Sequence, residues 1–450
     1  MKRLLFISFL GFASITAAQT FNIQPSNPVL AGEPVTISLT GLPRNAEVKI
    51  TAERVVAALA KPDKRLLYRA SATYSTDANG KLDLATAAPK SGAYMGADIR
   101  GLFWSMVPTA AEVPAERKTM QIAFSATHGD KVLTSATLEF INSLPEVMVE
   151  KVEKFPGALF ASLPGKVKRP AIIVLGGSEG GASTARNTPP QLASRGFAVL
   201  GLPYYSPPKW PKFEREIAEL PAAFADIPVE QLNTAYEWLK TRDDVDPSRI
   251  AIYGVSKGAE FALIAASIYP WITAVVATVP TDVVWEGWGP GTVPGQSASF
   301  SLNGKALPFV PYQDMTKELD GFKTGSEVRL RRPQDNGRAA NPAAAVKARI
   351  AVEKFKGALI VIGAHDDHVW ASGMMAQIIA EKRAEFGLET LVLIYLDAGH
   401  YLSGDGWGPT TQYNAAPLKS GGTPESTARA QADAYPKMIA FLKRTLAMNP

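Results

Sequence analysis

The chain has 450 residues, of which 46% are hydrophobic and 20% charged, and its formal net charge is +5. This composition is typical of a globular protein with room for two domains, and neither a disordered chain, a membrane bundle nor a nucleic-acid partner is indicated. Because the sequence contains no cysteine, disulfide bonds, thiolate catalysis and cysteine-ligated zinc are excluded.

Residues 1–18 have the features of a secretory signal peptide. Lys2 and Arg3 supply a positive start, Leu4 to Ile15 form an apolar run, and Thr16-Ala17-Ala18 is a small-residue cleavage site. A membrane anchor is the alternative, but the run is short for a span and no second span follows. We therefore expect an exported protein, periplasmic or secreted, without a stable membrane anchor. The sequence does not indicate an oligomeric state.

Residues 19–143 have the pattern of an all-β domain. Apolar and polar residues alternate in Val35–Leu39, in Val48–Ala52 and in Gln121–Ala126, and turns rich in glycine, proline, asparagine and aspartate separate such runs. Several short strands with this spacing predict an immunoglobulin-like β-sandwich.

From residue 144 to residue 450, short apolar runs alternate with helical patterns. The predicted strands include Ala171–Leu175, Phe197–Leu202, Ile250–Tyr253, Ala274–Val279, Leu359–Gly363 and Leu391–Leu396. This alternation predicts an α/β domain whose mostly parallel sheet is covered by helices on both faces.

A glycine-rich loop, Gly176-Gly177-Ser178-Glu179-Gly180-Gly181, follows the first of these apolar strands. Glycine lets the backbone turn its amides toward a substrate oxygen, so the amides of Gly177 and Ser178 are candidate donors in an oxyanion hole. A phosphate-binding loop is the alternative, but no Gly-Lys-Ser/Thr follows.

The sequence Gly254-Val255-Ser256-Lys257-Gly258 lies between the apolar strand Ile250–Tyr253 and a helical apolar pattern. This is the G-x-S-x-G turn in the strand–turn–helix context that exposes a nucleophilic serine. The amide of Lys257, at the helix N-terminus, is then the other oxyanion donor. The alternative is that Ser256 merely caps the helix.

Residues 281–346 do not follow the alternation and are expected to form an insert, either a lid over the nucleophile or a passive surface excursion. The insert contains two tryptophans and three arginines of interest, which are Trp285, Trp288, Arg329, Arg331 and Arg332.

A serine nucleophile needs a general base and an acid to orient it. His400 directly follows the last predicted strand, where an α/β-hydrolase presents its base, and the acid is expected after the preceding strand. Asp366 and Asp367 both stand there, and spacing alone does not choose between them. Their neighbours His365 and His368 also allow a metal site as an alternative, although the serine machinery already explains the region.

Several motifs resemble the acyl-CoA thioesterases related to bile acid-CoA:amino acid N-acyltransferase. The similar segments are Gly254-Val255-Ser256-Lys257-Gly258-Ala259-Glu260, Gly196-Phe197-Ala198-Val199 with Tyr204-Tyr205, Asp366-Asp367-His368-Val369-Trp370, Gly399-His400-Tyr401, Gly101-Leu102-Phe103-Trp104 and the tail from Gly421. The resemblance implies a β-sandwich before an α/β-hydrolase domain. It also implies that the second aspartate, Asp367, is the acid of the triad.

The resemblance further implies acyl thioester cleavage, in which Ser256 attacks, the thiol leaves and water activated by His400 releases the acid. No cofactor or metal is implied. The N-acyltransferase branch characteristically uses cysteine as its nucleophile, so serine here favours hydrolysis over transfer to an amine.

The substrate is expected to be a small acyl thioester or ester. If coenzyme A is the leaving group, Arg329, Arg331 and Arg332 are candidates to bind its phosphates, whereas Trp285 and Trp288 either line the acyl pocket or pack the insert. Because free acyl-CoA should be scarce outside cells, an exported carboxylesterase or a dienelactone-hydrolase-like enzyme is the second hypothesis. A binding module with an inactive hydrolase domain is the third.

Overall fold

The computed structural model describes residues 18–58, 61–113, 116, 118–209, 213–415 and 417–447. The predicted signal peptide, residues 1–18, therefore lies outside the described residues except for Ala18. Within the described part of the chain, no helix is long and apolar enough to cross a membrane.

The N-terminal part of the chain folds into two sheets and one short helix. Its elements are β1 (Thr20–Gln24), β2 (Val29–Leu30), β3 (Thr36–Thr40), β4 (Glu47–Ala58), β5 (Lys61–Ser75), β6 (Leu82–Asp83), β7 (Ser91–Gly92), α1 (Gly101–Trp104), β8 (Val107–Pro108), β9 (Gln121–His128) and β10 (Lys131–Ile141). The smaller sheet has the order β1-β3-β6, and the larger one has the order β2-β10-β9-β4-β5-β7, with β8 also paired to β5. The pairs are antiparallel except for β2 with β10.

The core of this domain follows from the alternation in its strands. Val48, Ile50 and Ala52 of β4 are fully buried, whereas their neighbours along the strand are more exposed, because successive side chains of a strand point to opposite faces. The same core contains Phe103 of α1 and Trp407, which comes from the C-terminal half of the chain. The two halves of the chain therefore share a core.

The second part of the chain is built around a larger sheet. Its strands are β11 (Met148–Lys151), β12 (Leu159–Ser162), β13 (Arg169–Leu175), β14 (Ala198–Gly201), β15 (Ile227–Pro228), β16 (Val245–Val255), β17 (Ile272–Thr278), β18 (Phe300–Leu302), β19 (Lys305–Ala306), β20 (Ala358–Ala364) and β21 (Leu391–Tyr395). Eight of them form one sheet in the order β11-β12-β14-β13-β16-β17-β20-β21, which is parallel from β14 onward. The α/β-hydrolase fold class after a β-rich domain, as predicted from the sequence, is confirmed.

Helices cover both faces of this sheet. The helices that contact it are α2 (Ser183–Ala193), α3 (Glu230–Lys240), α4 (Lys257–Ala266), α9 (Ser372–Ala384) and α10 (Pro424–Thr445). The others, which lie between β17 and β20, are α5 (Met315–Leu319), α6 (Gly321–Thr324), α7 (Arg331–Ala340) and α8 (Pro342–Lys347). Ile250 and Ile252 of β16 pack in the core shared with α3, α4 and α9, whereas Ala251 and Tyr253 pack with α2 and α10. A strand buried on both faces needs an unbroken apolar run, which is the pattern that Ile250–Tyr253 shows.

The segment between β17 and β20, which contains residues 281–346, interrupts the strand–helix alternation of the chain, although β17 and β20 pair directly in the sheet. It carries α5 to α8 and the strands β18 and β19, which form a small separate sheet with β15. Its own buried cluster includes Val283, Trp285 and Val310 and extends to Trp370 beside the acid loop. The insert is therefore packed against the site end of the sheet.

Candidate active site

Ser256 lies on a sharp turn between β16 and α4. Its backbone has φ 57° and ψ −120°, a strained conformation for a residue with a side chain, and its amide donates to the Thr278 carbonyl at 2.9 Å. The flanking glycines make the turn possible. A Cβ at Gly254 would lie 2.1 Å from the Gly258 carbonyl oxygen, and one at Gly258 would lie 2.4 Å from the Gly176 oxygen.

His400 lies between Ser256 and Asp367. Its Nε2 is 3.0 Å from the Ser256 Oγ, and its Nδ1 is 2.8 Å from the Asp367 Oδ2. Because an ionised carboxylate only accepts hydrogen bonds, Nδ1 carries the ring proton and Nε2 is free to accept from the serine hydroxyl. The three side chains thus form a continuous hydrogen-bonded chain, and all three are buried.

Asp367 is held more firmly than the other aspartate of the loop. Its Oδ1 accepts from the amides of Val369 at 2.8 Å and Trp370 at 3.2 Å, and its Oδ2 accepts from the Ser372 hydroxyl at 2.6 Å as well as from His400. Four donors satisfy a fully buried carboxylate and fix its direction.

Asp366 points elsewhere. It is exposed, its Oδ1 lies 3.0 Å from His368 Nε2, and its Oδ2 accepts from the Gly422 amide at 2.9 Å. The residues alone left Asp366 and Asp367 open, and the structure brings only Asp367 to His400. As for the metal alternative, no group of three or more histidine, aspartate or glutamate side chains suited to a metal is found within the described residues.

The backbone donors around Ser256 differ from the predicted set in one respect. Among the described residues, the amides of Lys257 and Ser178 have no hydrogen-bond partner, whereas the Gly177 amide already donates to the Glu179 Oε1 at 3.0 Å. The prediction that the Gly177 amide donates to the oxyanion is therefore corrected. Its importance is steric, since a Cβ there would lie 3.2 Å from the Ser256 Cβ. The available donors are Lys257 and Ser178.

Arg331 contacts the loop that carries Asp367 and does not line the cleft over Ser256. Its guanidinium donates to the carbonyls of His365 at 2.9 Å and Asp367 at 3.1 Å, and its own amide donates to the His368 carbonyl at 3.0 Å. The predicted substrate contact of Arg331 is thus replaced by a contact that braces the loop carrying Asp367.

The other two arginines of the predicted phosphate site are paired with acids. Arg332 lies 3.3 Å from Glu318, and Arg329 lies 2.8 Å from Glu327. Neither lines the cleft over Ser256. The binding of coenzyme A phosphates by these arginines stays a prediction.

A cleft of about 660 Å³ opens over Ser256 and His400. Its polar lining includes Ser178, Glu179, Ser183, Thr184, Thr188, Gln191 and Ser403, and its apolar or aromatic lining includes Leu192, Tyr253, Leu330, Val369, Tyr401, Leu418, Tyr435 and Met438. Leu330 comes from the insert. Burial raises the pKa of Tyr401 to about 12, with a smaller contribution from Tyr413, so this hydroxyl stays protonated at neutral pH.

The two tryptophans of the insert do not line this cleft. Trp285 is buried and donates from its indole to the Thr281 hydroxyl at 2.9 Å, and Trp288 stacks on Phe224 with ring centres 4.7 Å apart. Of the two roles that the sequence left open, acyl pocket or packing of the insert, the structure gives both tryptophans the packing role.

The sequence did not identify two polar residues that lie near Ser256 and Asp367. Ser372 donates to the acid, and Glu179 fixes the glycine loop by accepting from Gly177 and from the Thr184 hydroxyl at 3.0 Å. Glu179 is exposed and lies inside the loop that the sequence singled out, so its position beside the loop amides was the signal that could have identified it as an acceptor. No pattern marked Ser372, because its contact depends on how α9 begins.

Known proteins resemble the chain along most of its length. A family model described as "Acyl-CoA thioester hydrolase/BAAT N-terminal region" matches residues 32–154, and one described as "BAAT / Acyl-CoA thioester hydrolase C terminal" matches residues 227–448. A model of the "Dienelactone hydrolase family" matches residues 157–286. The two thioester hydrolase models together span well over half of the sequence.

Curated relatives are similar over nearly their full length. Acyl-coenzyme A thioesterase 6 of Mus musculus is 29% identical over 455 residues, which cover 95% of this chain and 97% of that protein. The mitochondrial acyl-coenzyme A thioesterase 2 of Homo sapiens is 25% identical over 450 residues, which cover 95% and 85%. Among solved structures, an esterase of Pyrobaculum calidifontis is similar at a TM-score of 0.40, with 16% identity over 67% of this chain and 87% of that one.

Proposed function

The chain belongs to the acyl-CoA thioester hydrolase/BAAT family and is a hydrolase, and from this premise we propose that it cleaves acyl thioesters with Ser256 as nucleophile. The observation that carries the proposal is the chain of hydrogen bonds from Asp367 through His400 to Ser256, at 2.8 and 3.0 Å. In this proposal Asp367 orients the imidazole, His400 is the general base and Ser256 forms the acyl-enzyme.

The first half of the reaction acylates the serine. His400 Nε2 takes the hydroxyl proton as the Ser256 Oγ attacks the thioester carbonyl, and the carbonyl π electrons move onto its oxygen. The amides of Lys257 and Ser178 donate to that oxyanion, since both lack another partner among the described residues. The C–S bond then breaks, and the thiolate leaves with the proton that His400 holds.

The second half regenerates the enzyme. Water loses a proton to His400 Nε2 as it attacks the acyl-enzyme carbonyl, and the same two amides hold the second oxyanion. When the C–O bond to Ser256 breaks, His400 returns the proton to the serine oxygen. The carboxylic acid is released and no redox change takes place.

The mixed lining of the cleft suggests how the substrate is placed. Its apolar side chains, which include Leu330, Val369 and Met438, suit an acyl chain because burial of apolar surface favours binding by roughly 25 cal/mol per Å². Its polar side chains, several of which lie on α2, suit the leaving group. We propose this orientation for thioesters and oxygen esters alike.

We also propose that the enzyme works outside the cytoplasm, because residues 1–18 have the pattern of an export signal. Outside cells, coenzyme A thioesters are scarce, and the arginines that were candidates for its phosphates are paired with acids. An exported carboxylesterase is therefore the second candidate, and the match of residues 157–286 to the dienelactone hydrolase model favours it.

Hydrolysis of palmitoyl-CoA beside p-nitrophenyl butyrate distinguishes the two candidates. The proposal predicts a higher kcat/KM for palmitoyl-CoA, with loss of both activities in Ser256→Ala. Cleavage of the simple ester alone, still abolished in Ser256→Ala, would support the carboxylesterase candidate and contradict the thioesterase.

A further inference from the structure

The side chain of Lys257, whose amide is one of the two free donors beside Ser256, makes a buried ion pair. Its Nζ lies 2.5 Å from the Glu260 Oε2 and 2.7 Å from the Ser299 hydroxyl, and both charged residues are almost completely buried. The rings of Phe224, Trp288 and Phe300 surround the ammonium, with centres 5.0 to 5.4 Å away. No atom of this pair lines the cleft.

Stability alone is a poor explanation for such a pair. Burial lowers the pKa of Lys257 and raises the pKa of Glu260, and in each case the partner's charge opposes the shift. Two charges removed from water lose hydration that their mutual attraction only partly restores, so apolar residues of the same shape are often as stable. An ion pair also fixes the orientation of the two backbone segments to which its side chains are attached.

Here the ion pair fixes the orientation of the turn that carries Ser256 and Lys257. Lys257 is the first residue of α4 and directly follows Ser256, so its amide and its side chain are attached to the same Cα, and the ammonium lies in the interior. Two hydrogen bonds and three neighbouring rings hold the ammonium in place, which restricts rotation of the first helical turn. A displacement of the amide by about 1 Å would be enough to reduce the rate by as much as 10²-fold.

The pair also ties this turn to the insert. The Glu260 Oε1 accepts from the Trp285 amide at 3.1 Å, and Ser299, which accepts from Lys257, donates in turn to the Glu286 carbonyl at 2.9 Å. The same insert supplies Leu330 to the cleft. The bonds that orient the Lys257 amide are therefore bonds to the segment that covers the site.

We propose that Lys257 and Glu260 are positioning residues, which hold the Lys257 amide in the oxyanion hole and require the insert to be docked for full activity. The inference rests on the proposed function, because it assigns a role in the same serine-dependent reaction. Because the oxyanion forms only during the reaction, these residues should stabilise the transition state more than they strengthen binding of the substrate.

The test uses Lys257→Met, Glu260→Gln and the double variant Lys257→Met/Glu260→Gln. Methionine keeps the backbone amide and the length of the side chain, and glutamine keeps an oxygen for the Trp285 amide. The single variants leave one buried charge without its partner and are expected to lower the thermal midpoint, whereas the double variant contains neither charge and is expected to recover much of that loss.

For hydrolysis of p-nitrophenyl butyrate, kcat of the double variant is expected to fall roughly 10- to 100-fold, with KM changed less than about twofold. Binding of a trifluoromethyl ketone, which forms an oxyanion on Ser256, should weaken by the same factor as kcat/KM. A double variant that is folded and has wild-type kcat overturns the inference, and so does a rise in KM that accounts for the whole loss.

A second ion pair, between half-buried Arg338 and buried Asp282, provides the control. The two side chains form a bidentate pair inside the insert, at 2.6 Å for both bonds, and bond neither Lys257 nor Glu260. Arg338→Met/Asp282→Asn should lower stability while kcat stays within about twofold, because the Lys257 ties remain. An equal loss of kcat in this control would mean that general loosening, and not positioning of the amide, explains the result.

Ser256→Ala in the same assay separates this inference from the proposed function. Hydrolysis that persists in Ser256→Ala contradicts the proposed function and removes the basis for the inference. Hydrolysis that depends on Ser256 but is unchanged in the double variant contradicts the inference alone.

Discussion

At the scale of single residues, the site depends on the hydrogen-bond partners that each side chain has in the folded loops. Asp366 and Asp367 are adjacent and chemically identical, yet one accepts four hydrogen bonds in the interior and the other lies at the surface. Burial with four donors keeps the Asp367 carboxylate in one orientation, and this orientation selects the tautomer of His400.

Substitution of the two aspartates tests this difference. Asp367→Asn should reduce kcat by roughly 10⁴-fold, because an amide in that place favours the wrong tautomer of the histidine. Asp366→Asn is the matched control, and its kcat should stay within about twofold. Steady-state kinetics with p-nitrophenyl butyrate measures both. A larger loss of kcat in Asp366→Asn than in Asp367→Asn would identify Asp366, and not Asp367, as the acid that orients His400.

At the scale of elements, the periodicity of the sequence located the strands of the central sheet well. The predicted strand Leu391–Leu396 is Leu391–Tyr395 in the structure, and Leu359–Gly363 lies inside Ala358–Ala364. Strands buried on both faces must be apolar throughout, so their pattern is strong. Ser256 and His400 were located for the same reason, since each follows directly from the end of such a strand.

The insert was less predictable because its contacts are not local. Arginine and tryptophan are residue types that often contact ligands. In this insert, however, Arg331 donates to the loop that carries Asp367, and Trp288 packs against Phe224. Similarly, Gly177 was predicted to donate to an oxyanion, but nothing in the pattern indicated that Glu179 would accept from its amide or that its Cα would approach Ser256 closely. A residue's type suggests what it is able to bind, and only the fold decides which partner it meets.

At the scale of the whole molecule, the loop after His400 joins the two halves of the chain. Trp407 is buried in the core of the N-terminal domain, 4.9 Å from Phe103 between ring centres, and the Arg100 guanidinium lies 4.3 Å above its ring. Its carbonyl accepts from Arg54 at 3.0 Å. The β-rich domain therefore holds the loop that begins at His400.

Removal of this contact should affect stability and catalysis together. Trp407→Ala is expected to cost about 3–5 kcal/mol, the usual cost of deleting a buried aromatic side chain, and to lower kcat because the His400 loop loses its anchor. Trp104→Ala is the control, since its side chain packs against Tyr94 in the same core without carrying the loop. Urea unfolding and kcat distinguish them. A wild-type kcat in folded Trp407→Ala would contradict this coupling.

The central claim is that Ser256 is an activated nucleophile, and labelling with a fluorophosphonate probe tests it most directly. The mature protein should take up about one probe per chain, and mass spectrometry of the digested protein should locate it on Ser256. Ser256→Ala should remain unlabelled, and His400→Ala should react far more slowly because the hydroxyl has lost its base. An unlabelled wild-type protein, or label that persists in Ser256→Ala, would contradict the account.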